Sequence, residues 1–338
     1  MKYLCFNGHD RKNNELFCNV CGSPFEIIVD EKYHDKILDN YPYIKKWINL
    51  GEVTTPVIGN GDLYFKLDYY SPTFSYKDRG SRTLISYLAS RYDNHNLSIN
   101  EDSSGNAGAS IAAYGHVAGF NVNIFVPETA NAMKLGQIKL YGANIIKVKG
   151  SRDEVQNVAM KYDGIYASHV LNPEFRDGIR TLAYEIFNQF EHMPDRVFIP
   201  VSAGTLLSGL FSGFKHLLDS GEINKIPEII GVQPEIISPL CSQINGTLFD
   251  ENNDKSSVAD ALVSKKPVLI KKMYDIIKNY GRCVTVSENE IITARGDLAL
   301  SGILTEYSSA TVYAAYKKLR KHGKNLLILT GNGLKTNY

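Results

Sequence analysis

The stretch Ser71-Pro72-Thr73-Phe74-Ser75-Tyr76-Lys77-Asp78-Arg79-Gly80, followed further on by Ser103-Ser104-Gly105-Asn106-Ala107-Gly108, decides how this chain is read. In the first run a lysine stands on a short loop about to open a helix. In the second a strand runs out into a Ser/Gly/Asn turn. An amine in such a place can hold an aldehyde as a Schiff base, and a turn of hydroxyls and amides at a helix N-terminus can grip a carboxylate. Together they predict an enzyme that handles amino acids through an aldehyde cofactor.

Outward from these runs, short β-rich segments alternate with helix-length stretches. Residues 63–67 read as a strand, 80–92 as a helix beginning just after Lys77, and 37–50 as an amphipathic connector. Strands follow at 97–102, 122–126, 144–148 and 164–167, each separated by a helical stretch, which implies a parallel sheet with crossover helices. A second series, 196–201, 228–232, 283–286 and 325–329, repeats the pattern. The fold class is therefore α/β, with two parallel-sheet domains and the active site expected between them. The boundaries read from the sequence are a ribbon-like segment at 1–28, a large cofactor-binding domain from 29–92 and 171–338, and a small mobile substrate-carboxylate domain at 93–170. Residues 250–257 are polar and read as a surface loop.

Composition narrows the function. A formal net charge of +1 over 338 residues gives no whole-molecule field for nucleic acid or an anionic membrane. Lysine pairs such as Lys265-Lys266 and Lys271-Lys272 read as solvated helix surface. No apolar run approaches the ~20 residues of a spanning helix, and the N-terminus lacks the apolar core of a signal peptide. A cytoplasmic enzyme acting on a small molecule is expected.

Five cysteines are too few for a disulfide scaffold, and Cys5, Cys18 and Cys21 cluster near the N-terminus. Cys18-Asn19-Val20-Cys21-Gly22 makes a tight turn that points two thiolates at one ion, and Cys5 with His9 completes a Cys3His set. This predicts a small zinc ribbon with Zn2+ held by Cys5, His9, Cys18 and Cys21. A closed four-ligand site is structural or a docking element, so catalysis belongs elsewhere.

In open parallel sheets, ligands sit beyond the carboxyl ends of strands, facing helix N-termini. Two strands end that way. One runs into Ser103, Ser104, Gly105, Asn106 and Ala107, a carboxylate site. The other runs into Ser202, Ala203, Gly204, Thr205 and Leu206, a phosphate cradle. Taken singly, either is an ordinary packing turn; with Lys77 they form a set.

The run around Lys77 resembles the lysine motif of the tryptophan-synthase-β (fold type II) pyridoxal-phosphate enzymes, and Ser103 to Ala107 resembles their substrate-carboxylate loop. Phe125-Val126-Pro127-Glu128, Lys134-Leu135, Gln137, Tyr141-Gly142-Ala143 and Leu329-Thr330-Gly331-Asn332-Gly333-Leu334-Lys335 look most like threonine synthases, and some of that branch begin with a ribbon. The resemblance implies pyridoxal 5'-phosphate as cofactor and Lys77 as its Schiff-base lysine and proton shuttle. Asn106 would bond the phenolic oxygen, residues 202–206 the phosphate, and Thr330 the pyridine nitrogen. A homodimer is also implied.

The implied reaction is conversion of O-phospho-L-homoserine and water to L-threonine and phosphate. The chain departs from the threonine synthase pattern at Ala107, where threonine is common, and at His169-Val170-Leu171-Asn172-Pro173-Glu174-Phe175-Arg176, where the arginine is displaced by one position. His169 and Arg176, with Arg180, are expected to rebuild a grip on the substrate phosphate or to mark another leaving group. Asp78 and Arg79 read as an ion pair beside the lysine. Two other functions stay open: a related β-replacement enzyme or dehydratase acting on phosphoserine, serine or threonine, and a non-catalytic amino-acid-binding paralogue.

Overall fold

The computed structural model describes residues 1–92, 97–130, 132–320 and 322–336. The chain begins with β1 (Lys2–Cys5), β2 (Phe25–Ile28), β3 (Val57–Asn60) and β4 (Leu63–Leu67), and then alternates: α1 (Lys77–Arg91), β5 (Ser98–Glu101), α2 (Asn106–Val117), β6 (Asn121–Pro127), α3 (Ala132–Leu140), β7 (Asn144–Val148), α4 (Arg152–Lys161) and β8 (Ile165–Tyr166). The second half continues with α5 (Pro173–Gln189), β9 (Arg196–Pro200), α6 (Thr205–Ser220), β10 (Glu228–Pro234), α7 (Pro239–Asn245), α8 (Ile270–Tyr280), β11 (Gly281–Val286), α9 (Glu288–Leu300), α10 (Tyr307–Leu319) and β12 (Asn325–Leu329). Several helix starts follow from the sequence directly. Ser151 and Ser287 accept the third backbone N–H of α4 and α9, while Glu154 and Glu290 reach back to the cap residue.

The α/β class with parallel sheets is confirmed. One sheet has the order β7-β6-β5-β8 and is parallel throughout. The other has the order β11-β10-β9-β12-β4-β3, parallel except for its last strand. Strand β3, which the sequence did not announce, runs antiparallel to β4 at the sheet edge. Its short, glycine-containing run Val57-Ile58-Gly59-Asn60 is mostly exposed. Such an edge strand needs no apolar alternation.

The amphipathic connector over 37–50 contains a single 3-10 turn, Ile37–Asn40. The Asn40 amide donates to the carbonyls of His34, Lys36 and Ile37, and its carbonyl accepts from His34 N–H. Local side-chain bonding of this kind competes with helix continuation. The apolar positions Tyr41, Ile44 and Ile48 are buried all the same.

The chain divides into two compact units: residues 1–52 with 71–179, and residues 53–70 with 180–338. This grouping differs from the one expected from the sequence, because packing assigns α1 and the N-terminal segment to the four-stranded sheet. Ser110 of α2 donates to the Asp78 carboxylate of α1 at 2.6 Å. Leu16 and Phe17 pack on the cluster of Phe125, Val155, Ala159, Tyr166 and Leu171. Arg11 forms a buried ion pair with Glu174 at 2.7 Å. The expected boundary at residue 93 lies outside the described residues.

In the second unit, Phe65, Leu67, Phe198, Ile230, Val232, Leu327 and Leu329 of the sheet pack on Ile291, Leu298, Ala310 and Val312 of α9 and α10. Side chains alternate along a strand, so Lys66 points to the opposite face. There its amine donates to the Thr55 carbonyl, the Glu185 carboxylate and the Gln189 side-chain carbonyl, each at 2.7 Å. Cys241 of α7 and Cys283 of β11 form a disulfide, the pair of cysteines that the sequence reading left without a role.

Candidate active site

Lys77 is the first residue of α1. Just before it, Phe74 has φ 63, a left-handed conformation that costs energy for an aromatic residue and clusters at functional loops. The bend is held by Asp78, whose carboxylate accepts from Thr73 N–H at 2.7 Å, Thr73 O–H at 2.5 Å and Ser110 O–H. Asp78 therefore fixes the loop and joins it to α2, a role the ion-pair reading did not give it. The Lys77 amine lies 5.0 Å from the Tyr76 ring centre and 5.8 Å from that of Phe175. Aromatic faces favour its charge, but desolvation wins. Burial lowers its pKa to about 8, with Glu101 opposing the fall and Arg152 adding to it.

The Ser103 turn belongs to the same unit. It follows β5, the strand beside the point where the order β7-β6-β5-β8 reverses direction, and opens α2 at Asn106. Ser103 is buried, while Ser104, Gly105 and Asn106 are half-buried. Gly105 N–H donates to the Ser103 hydroxyl at 3.3 Å, and no side chain caps α2. The dipole of α2 favours an anion at such a helix start. Gly108 permits this shape, since a Cβ there would lie 1.9 Å from the Ser103 carbonyl oxygen. Gly108→Ala must displace the turn. Its kcat/KM is expected to fall by about 100-fold, the scale of an ångström-sized misplacement, with the pH dependence of Lys77 unchanged; steady-state kinetics against substrate concentration checks this.

The second unit carries the other two expected groups. The loop Ser202–Ala203–Gly204 follows β9 and Thr330 follows β12, and these strands are parallel neighbours, so both groups lie beyond the same edge of one sheet. Gly204 has φ 95, and a Cβ there would lie 2.6 Å from the Met273 sulfur. No side chain caps α6, which begins at Thr205 and Leu206. Its N-terminal amides suit an anion, whose charge the helix dipole favours. At Thr330 the hydrogen bonds can be counted. Ser309 Oγ accepts from Thr330 N–H and Gly331 N–H and lies 2.9 Å from Thr330 Oγ1. With both acceptor sites used, the Ser309 hydrogen goes to Thr330 Oγ1, and the Thr330 O–H is left to donate to an acceptor.

The expected phosphate grip of His169 and Arg176 is not what the structure shows. Arg176 is buried and its guanidinium donates to the carbonyls of Val170 and Phe25, so it ties α5 to the N-terminal segment. Burial holds the His169 pKa well below its ordinary range, and its Nδ1 lies 2.5 Å from Glu101 Oε1. Arg180 donates to the Tyr184 hydroxyl at 2.8 Å within the second unit. The sequence reading missed Glu101 and Ser309. A carboxylate ending a strand two positions before the Ser103 turn was a signal for Glu101. Nothing local signals Ser309, which lies 21 residues from its partner Thr330.

Residues 49–331 match the family described as "Pyridoxal-phosphate dependent enzyme". The chain belongs to this family. It is 30% identical to the threonine synthase of Methanocaldococcus jannaschii, covering 95% of this chain and 89% of that protein. It is 29% identical to a catabolic L-threonine dehydratase of Staphylococcus aureus, over 82% of this chain and 80% of that one. Among solved structures, a pyridoxal 5'-phosphate-dependent aspartate racemase superposes with TM-score 0.73 at 23% identity, covering 90% of this chain and 97% of the other.

The residues present fit the family's cofactor. A lysine whose pKa is lowered to about 8 is neutral often enough to condense with an aldehyde. An uncapped helix start suits a phosphate, and a buried neutral hydroxyl donor suits a ring nitrogen. Among the described residues, no helix is long and apolar enough to cross a membrane.

Apart from this site, β1 and β2 pair antiparallel and bring the four N-terminal ligand candidates together. Cys5 Sγ lies 3.3 Å from His9 Nδ1 and 3.6 Å from Cys21 Sγ, and Cys18 Sγ lies 3.5 Å from His9 Nδ1. All four ligand atoms lie within 4.8 Å of one another. Bond lengths of ~2.3 Å to sulfur and ~2.0 Å to nitrogen give tetrahedral edges of roughly 3.5–3.8 Å, close to these separations. Hydrogen bonding by Ser23 lowers the Cys21 pKa to about 5, favouring the thiolate a metal needs.

Proposed function

We propose that this chain is a lyase of the threonine synthase type, converting O-phospho-L-homoserine and water to L-threonine and phosphate. The observation that carries the reading is Lys77: an amine at the start of α1, with its pKa lowered by burial and linked through Asp78 and Ser110 to the helix that follows the Ser103 turn. The 30% identity to a threonine synthase over nearly the whole chain supports the choice of reaction.

In this reading the Ser103–Ala107 turn takes the substrate carboxylate. The first turn of α6, from Ser202 to Leu206, takes the cofactor phosphate, Asn106 the phenolic oxygen, and Thr330 donates to the ring nitrogen. When bound, the cofactor withdraws electrons from the substrate's α-carbon. Lys77 then accepts the α-proton and moves a second proton. A neutral donor at Thr330 leaves the ring nitrogen uncharged, which moderates that withdrawal and favours elimination over transamination.

A second reading is elimination from serine or threonine. The commitment of Arg176 to backbone carbonyls favours it, because the expected phosphate ligand is spent elsewhere. The purified protein with pyridoxal 5'-phosphate is expected to release phosphate from O-phospho-L-homoserine and form threonine. Release of ammonia from threonine or serine, with no phosphate release, would establish the second reading instead.

The N-terminal cluster is read as a structural zinc site held by Cys5, His9, Cys18 and Cys21. One equivalent of zinc per chain is expected by elemental analysis, with the metal lost in Cys18→Ser. Full metal content in that variant would overturn the assignment.

A further inference from the structure

The substrate proposed above carries a phosphate, yet the residues expected to grip it are engaged elsewhere: Arg176 with backbone carbonyls and His169 with Glu101. Another cation of the first unit is placed to do so. Arg152 is the first residue of α4, exposed at the end of the short loop that follows β7. The four strands in the order β7-β6-β5-β8 are parallel, so this loop emerges at the same edge as the Ser103 turn after β5 and His169 after β8. That edge is where such sheets hold ligands. Strands β7 and β5 stand two places apart, roughly 10 Å. An arginine reaching from one and an amino-acid carboxylate held at the other leave room between them for a short chain that ends in phosphate.

The packing of α4 sets the face from which Arg152 projects. Val155 and Ala159 bury against Phe125 and Tyr166. Gln156 donates to the Tyr166 hydroxyl at 3.2 Å, and that hydroxyl donates to the carboxylate of Asp102, the residue before Ser103. Arg152 stands four positions before Gln156, on the same face and one turn nearer the helix start. Helical side chains lean toward the N-terminus, here toward the ligand edge of the sheet. Glu154 turns back to accept from Ser151 N–H, and Asp153, as the next residue, does not face Arg152. Among the described residues, no hydrogen bond or ion pair engages the Arg152 guanidinium. A cation in the first turn opposes the helix dipole, and such departures from local preference concentrate at functional positions. Its charge is felt at Lys77, Glu101, Asp102 and His169. The two acids do not cancel it, since burial raises the Glu101 pKa to about 8 and lifts that of Asp102.

We propose that Arg152, at the head of α4, is the ligand of the substrate phosphate and so the residue that selects a phosphorylated amino acid. This rests on the reading that the Ser103 turn takes the substrate carboxylate. The guanidinium donates to two phosphate oxygens at once, a fit that a lysine does not reproduce. The positive end of α4 adds to the attraction. Serine and threonine offer no group for it, so the assignment favours phosphate release over elimination from either.

The test compares two ligands without a leaving group, titrated by calorimetry into the full-length holoenzyme at low ionic strength. One is the phosphonate in which a methylene replaces the ester oxygen of O-phospho-L-homoserine; the other is L-norvaline, which lacks the phosphonate. The wild type is expected to prefer the phosphonate. Arg152→Gln is expected to weaken the phosphonate about 30-fold and norvaline by less than about twofold, the loss of a charge-assisted contact alone. Arg152→Lys, which keeps the charge but not the fork, is expected to fall about fivefold short of wild type. Equal weakening of both ligands in Arg152→Gln would show a structural role and overturn the proposal. An unchanged phosphonate affinity in that variant also overturns it, while the wild-type preference leaves the phosphorylated-substrate reading standing. Equal binding of the two ligands by the wild type would sink that reading and the proposal together.

Discussion

Lys77→Ala is expected to yield a folded protein that forms no coloured Schiff base with pyridoxal 5'-phosphate and no adduct at position 77 after borohydride. Turnover should fall by a factor on the order of 10⁴, since nucleophile and proton carrier are lost together. The loss should be in kcat, because the Ser103 turn and the α6 N-terminus remain. In the wild type, condensation is expected to strengthen as pH rises through about 8, because the reacting form is the neutral amine. Absorbance titration and site-resolved mass spectrometry check both points. Residual turnover within about tenfold of wild type would mean that another group carries the chemistry.

The second large effect is on stability. Lys66 is wholly buried, and its ammonium is met by Glu185, Gln189 and the Thr55 carbonyl. Glu185 Oε2 also accepts from Thr55 N–H and Thr55 O–H, each at 3.2 Å. Lys66→Met leaves that carboxylate buried without its cation. The expected cost is about 3–5 kcal/mol, read from urea unfolding at neutral pH. Lys66→Met combined with Glu185→Leu removes both charges and should recover much of the loss, because a buried pair stabilises little relative to apolar groups of similar size. A single variant as stable as wild type would show that the charge is not confined as described.

The elements legible in the sequence are those whose signal is local. Strands β4, β7 and β12 were read to the residue and β5, β6, β8, β9, β10 and β11 within a few positions, because parallel strands appear as short apolar runs between helix-length segments, whereas β1, β2 and β3 went unread. Lys77 was legible because the residues around it form a dense motif, as was the Cys/His cluster through its spacing. The roles of His169 and Arg176 were not. Their side chains are decided by what folds against them: Glu101 from a neighbouring strand in one case, and the carbonyls of Val170 and Phe25 in the other.

By itself, then, the sequence determined the α/β class, the succession of parallel strands from β4 onward and the lysine at the head of α1, since periodicity and turn chemistry are properties of adjacent residues. Only the tertiary structure decided that α1 packs with the four-stranded sheet, that Cys241 meets Cys283, and that Glu101 meets His169. Those facts depend on which distant segments exclude water together, and burial of that kind sets both the Lys77 proton affinity and the partners of each buried charge.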